Sequence, residues 1–103
     1  MKGLNKMKKL FISQPMRGKS DETILAERAD AIQAAKDCLG EEVEVLDTWF
    51  GNFDGKALEF LGKSIMMLAG ADIAYFAPGW QDARGCRIEN ICAKEYGIHR
   101  IEA

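Results

Sequence analysis

Apolar and polar positions in this chain group into blocks that fit strand and helix in alternation. Lys9-Leu-Phe-Ile-Ser13 is a short apolar run stopped by Gln14-Pro15, the pattern of a buried strand. Ser20-Asp-Glu22 then supplies an N-cap and two acids for the positive end of a helix dipole. Ile24, Ala31, Ile32, Ala35 and Leu39 follow at helical spacing until Gly40 ends the element. Val43, Val45 and Leu46 predict a second strand that stops at Asp47. Thr48 to Gly55, rich in Gly, Asn and aromatics, reads as a loop into a second amphipathic helix. Leu58, Leu61, Ile65 and Leu68 form the buried stripe of that helix, with Gly70 as its cap. Ala71 to Phe76 reads as a third strand and Ala77 to Gly85 as a loop. A third helix runs to about Tyr96 and is closed by Gly97. Ile98 to Ile101 reads as a short last strand.

Crossovers of this length between strands imply an α/β fold: a three-layer parallel sheet of about four strands with helices on both faces. Ligands of such folds sit at the carboxyl ends of the strands. Three loops are expected to converge there, Ser13 to Ser20, Asp47 to Gly55 and Ala77 to Arg84. The 103 residues suffice for one core, so residues 1–8 read as a basic extension and 9–103 as a single domain.

Composition narrows the function classes. The chain is 48% hydrophobic and 29% charged, the balance of an ordinary globular protein. Fourteen Lys and Arg against sixteen Asp and Glu give a net charge of −2, which argues against a nucleic-acid partner. No apolar run is long enough to span a bilayer, and the apolar stretch after the basic start is too short for a secretory signal, so the expected setting is cytoplasmic. The odd cysteine count (Cys38, Cys86 and Cys92) fits reduced thiols, and with His99 the only histidine, no metal site is expected.

Two constellations carry candidate chemistry. Ser13-Gln-Pro-Met-Arg-Gly-Lys-Ser20 ends like a phosphate-binding P-loop, but serine stands where its first glycine belongs and Pro15 removes a backbone donor. What remains is an anion-friendly helix start flanked by Arg17, Gly18 and Lys19. Projected at about 100° per residue, the third helix puts Gly85, Ile88, Cys92, Ala93 and Tyr96 on an apolar arc, with Arg87, Asn90 and Lys94 opposite. Glu89 falls inside that arc. An inward carboxylate near a ligand edge is either used in chemistry or paired, here with Arg17 or Arg28. Glu95, on the arc's border, lies farther from the expected cleft. Trp49, Phe50, Phe53 and Trp80 are placed to stack on a planar ring or to serve as core or subunit contacts. Cys86 has no histidine near it in the pattern to act as its base.

Phe11-Ile-Ser-Gln-Pro-Met-Arg-Gly18, Ala71-Asp-Ile-Ala-Tyr-Phe76 and Gly79-Trp-Gln-Asp-Ala-Arg-Gly-Cys-Arg-Ile-Glu-Asn-Ile-Cys-Ala93 resemble the nucleoside 2-deoxyribosyltransferase superfamily, in particular its small bacterial and phage branch of largely unassigned function. The resemblance implies that Glu89 is a nucleophile that attacks the anomeric carbon of a nucleoside or nucleotide and forms a glycosyl-enzyme ester. It matches Ser13, Gln14, Pro15, Met16, Arg17 and Gly18 to the loop around the sugar and 5′ group, and Asp72 to an acidic residue at the third strand. The converging loops add Lys19, Asp47, Trp49, Gly79, Trp80, Asp82, Arg84 and Gly85 to the expected substrate site. The resemblance also implies a flavodoxin- or Rossmann-like sheet, a homodimer or larger homo-oligomer, a small-molecule nucleoside or nucleotide as ligand, and no cofactor. Two positions depart from the pattern. Ala83 stands where the transferases carry an aspartate and the deoxynucleotide hydrolases a serine, and Gln14 where many members have glycine. The first departure keeps open an alternative, a non-catalytic nucleotide-binding module of the same fold.

Overall fold

The strand that opens the chain is buried on both faces, and its alternation decides what lies on each side. A computed structural model describes residues 7–46 and 55–103. The elements run β1 (Lys8–Ser13), α1 (Asp21–Leu39), β2 (Val43–Val45), α2 (Ala57–Leu68), β3 (Ile73–Phe76), α3 (Arg84–Glu95) and β4 (His99–Glu102). The four strands form one parallel sheet in the order β2-β1-β3-β4. Successive side chains of a strand point to opposite faces. Leu10 and Ile12 pack with Ile73, Tyr75 and the α1 residues Ala31 and Ala35. Phe11 packs on the other face with Ala74, Phe76, Leu68 of α2 and Ala93 of α3. The result is the three-layer α/β architecture that the pattern predicts, with α1 on one face and α2 and α3 on the other.

The chain leaves β1 toward β2 and later returns to β3 on the opposite side of β1. The crevice where helices diverge to the two faces therefore opens above Ser13 and Phe76, which pair across β1 and β3. The caps of α1 are those expected: the Ser20 side chain accepts from the Thr23 amide, and Gly40 closes the helix at φ 71°.

Expectations about α2 and α3 are corrected. Leu58 is 77% exposed, and Leu68 alone of the α2 stripe is fully buried, because the first turns of α2 wall a cleft rather than join the core. That helix is capped by Ala69 in right-handed geometry, not by Gly70. On α3 the buried arc is Cys86, Glu89, Asn90 and Ala93. Asn90 lies inside because its amide is satisfied there: it donates to Glu102 Oε2 and accepts from Arg100, both on β4. Tyr96 is 84% exposed, since the helix ends at Glu95 and the backbone turns out of helical geometry at Tyr96. Among the described residues, no helix is long and apolar enough to cross a membrane.

Candidate active site

Residues at the end of β1 are sorted by the same alternation. Ser13 shares the face of Phe11 and so points toward α3, where its Oγ donates to Glu89 Oε1 at 2.6 Å. Gln14 faces α1 and donates its Nε2 to the Ile24 carbonyl and to Glu27 Oε1, at 2.9 and 3.0 Å. Its Oε1 is buried without a partner among the described residues.

Glu89 is 7% exposed and lines a cleft of about 320 Å³. Ser13, Pro15 and Met16 form one wall; Ala57, Phe60, Leu61 and Ser64 of α2 form the other. Burial pushes the Glu89 carboxyl above the usual carboxylate range, against hydrogen bonds from Ser13 and Ser64 that favour its charged form. Among the described residues no cation pairs with it, so the expected partners Arg17 and Arg28 are not its partners. Arg28 belongs to α1, on the far face of the sheet. Cys86, one turn before Glu89, also lines the cleft. Its thiol is pushed up by burial, a shift that the nearby Glu89 charge reinforces and that Ser13 and Lys19 oppose. A thiol held protonated in this way is a poor nucleophile.

A second basin of about 730 Å³ adjoins the first through Pro15, Met16, Ala83 and Gly85. Arg17, Lys19, Gly79, Asp82 and Arg84 complete its lining. Its cations are not equivalent. Lys19 Nζ is held by both oxygens of Glu27, at 2.8 and 2.9 Å, and donates to the Pro78 carbonyl at 3.0 Å. Arg17 and Arg84 are exposed and form no ion pair with a described residue. The α3 start beside them is capped by Ala83, with no side-chain hydrogen bond to its first turn.

The fold thus gathers most of the residues picked out from the sequence, with clear exceptions. Gly18 makes the turn at φ 77° but lines neither basin. Trp80 packs on Phe76, ring centroids 5.8 Å apart, and its buried Nε1 meets no partner among the described residues. Asp72 belongs to the opposite end of the sheet, where its Oδ2 accepts the Lys9 amide at 2.7 Å. Asp47 and Trp49, with Phe50 and Phe53, lie outside the described residues. Ser64 was not singled out by sequence reading, although a signal exists. It lies in phase with Leu61 and Leu68, a hydroxyl on an apolar stripe.

Among the described residues no three His, Cys, Asp or Glu side chains come together as a metal site would require. Cys38 Sγ and His99 Nε2 do meet, 3.4 Å apart, between α1 and the first residue of β4, away from the cleft. No family model matches this chain, and no curated protein matches it as a relative.

Proposed function

We propose that this chain is an N-glycosidic bond hydrolase or transferase of the nucleoside 2-deoxyribosyltransferase superfamily, acting on a nucleoside or nucleoside 5′-monophosphate. Glu89 is the nucleophile. Its carboxylate attacks the anomeric carbon, the C–N bond breaks with its electron pair leaving on the base, and a glycosyl ester forms. Water, or a second base, then attacks the same carbon and frees the carboxylate, the two-step logic of a retaining glycosidase. One observation carries the reading: the buried carboxylate of the cleft accepts the Ser13 hydroxyl and, among the described residues, pairs with no cation. A structural ion pair would have neutralised it, whereas hydroxyl donors leave its charge available to a reacting carbon.

Arg17 and Arg84 in the adjoining basin favour a 5′-phosphate, and hence hydrolysis of a nucleotide over base exchange. The superfamily reading carries with it a homo-oligomer, and exposed Leu58, Met66, Ile91 and Tyr96 on α2, α3 and the α3 cap supply apolar surface for one. A reducing, cytoplasmic setting suits its unpaired cysteines.

The test is chromatographic detection of free base. Wild type and Glu89→Ala are incubated with deoxynucleosides, their 5′-monophosphates and ribonucleotides. Release by wild type alone supports the reading, and silence across the panel from a folded chain removes it. Ala83 favours a second reading, a nucleotide-binding module without turnover, because it brings no polar group to the junction of the two basins. Binding of a nucleotide by both wild type and Glu89→Gln, with no turnover by either, is the outcome that selects it.

A further inference from the structure

Ser13 ends β1 with its side chain 2% exposed and its hydroxyl 2.6 Å from Glu89 Oε1. A hydroxyl has one proton to donate and two lone pairs to accept with. That proton is committed to Glu89, and Cys86 lines the same cleft one turn earlier on α3. Ser64 of α2 lines the same cleft and favours the charged form of the carboxyl, as Ser13 does. Lys19, in the adjoining basin, is already held by Glu27 and the Pro78 carbonyl.

We propose that Ser13 is a positioning residue for Glu89: its committed hydroxyl keeps the carboxylate charged and aimed into the cleft, where no cation among the described residues pairs with it. The proposal rests on Glu89 being the nucleophile of the reaction above. Burial opposes the charged form and Ser13 supports it, so losing the hydroxyl displaces the carboxyl's titration upward. A merely structural serine would leave that titration where it is.

The experiment follows the carboxyl carbon-13 resonance of Glu89, assigned with Glu89→Gln, through a pH titration of wild type, Ser13→Ala and Ser13→Thr. The acidic limb of the kcat/KM profile is recorded beside it on whichever substrate wild type cleaves. The expected result is a higher midpoint in Ser13→Ala, a midpoint returned toward wild type in Ser13→Thr, and kcat/KM about tenfold or more lower near pH 7 in the alanine chain. If Ser13→Ala does not fold, Ser13→Cys, similar in size and a weaker donor, is read the same way. A midpoint unmoved by loss of the hydroxyl, or equally displaced in the threonine chain, overturns the proposal. The titration needs no turnover, so a wild type that cleaves nothing refutes the glycosidic reading separately.

Discussion

Lys19 and Glu27 are joined through both carboxylate oxygens, at 2.8 and 2.9 Å, and the same ammonium reaches across to the Pro78 carbonyl. This lysine therefore ties the loop after β1 to the loop after β3, the two loops that border the larger basin. Lys19→Met removes that strut and leaves Glu27, among the described residues, with the Gln14 amide. Both side chains are largely shielded, 20% and 13% exposed, so the expected loss is about 1–2 kcal/mol in urea unfolding. Burial raises the Glu27 pKa, but the Gln14 and Lys19 bonds and the Lys19 charge outweigh it and set it below the ordinary value. A depressed folded pKa contributes stability above the unfolded pKa and loses it as pH falls through the folded one. The gap between wild type and Glu27→Gln is accordingly expected to close in acid.

Glu89 has the opposite sign. Its folded pKa is raised, chiefly by burial, so its contribution is complete below the unfolded pKa and is lost as pH rises through the folded pKa. Glu89→Gln keeps an acceptor for Ser13 and carries no buried charge. Its melting temperature is expected to match wild type below the ordinary carboxyl pKa and to exceed it near pH 8. Catalysis by the same variant is expected to fall by about three orders of magnitude or more, as loss of a nucleophile does. Equal melting temperatures at both pH values would refute the account of the buried carboxylate.

Arg17 and Arg84 line the larger basin and form no ion pair with a described residue. If they meet a phosphate, Arg17→Ala and Arg84→Ala each raise KM for a 5′-monophosphate about tenfold or more while changing that for the nucleoside little. Lys19→Met, whose charge is already spent on Glu27, raises it less. Steady-state kinetics on a matched nucleoside and nucleotide pair decides this, and equal effects on both substrates count against a phosphate contact.

Two leucines of α2 test where the core ends. Leu68 is 2% exposed against Phe11 and Phe76, whereas Leu58 is 77% exposed at the other end of the helix. Leu68→Ala is expected to cost about 2–5 kcal/mol in chemical unfolding. Leu58→Ala is expected to stay within about 0.5 kcal/mol for the isolated chain. A cost that appears for Leu58→Ala only at high protein concentration would locate a subunit contact there.

Gly79 turns the chain from β3 toward α3 at φ 88°, in the left-handed region that side chains resist. A Cβ there meets Pro15 Cγ at 3.9 Å, ordinary contact, so the cost of Gly79→Ala is conformational rather than steric. It is expected at about 1–2 kcal/mol, read from the midpoint of thermal or urea unfolding.

The layered fold, the ends of α1 and the inward turn of Glu89 were legible in the order of residues, because each follows from a local rule. Helix and strand periods depend on near neighbours, Ser20 and Gly40 cap by their own chemistry, and a carboxylate among apolar positions of a helix stands out wherever the helix packs. What only the tertiary structure decided is which polar groups meet across the sheet. Ser13 and Gln14 are neighbours in sequence, yet the alternation of β1 sends the first to Glu89, 76 positions away, and the second to α1. Lys19 reads as a free cation until the fold sets Glu27 and Pro78 against it. Asp72 reads as a site residue until the strand direction puts it at the opposite end of the sheet. A charge declares its presence in the sequence, but its partner is fixed by packing between distant segments, and the partner decides whether it supports the structure or is left for a ligand.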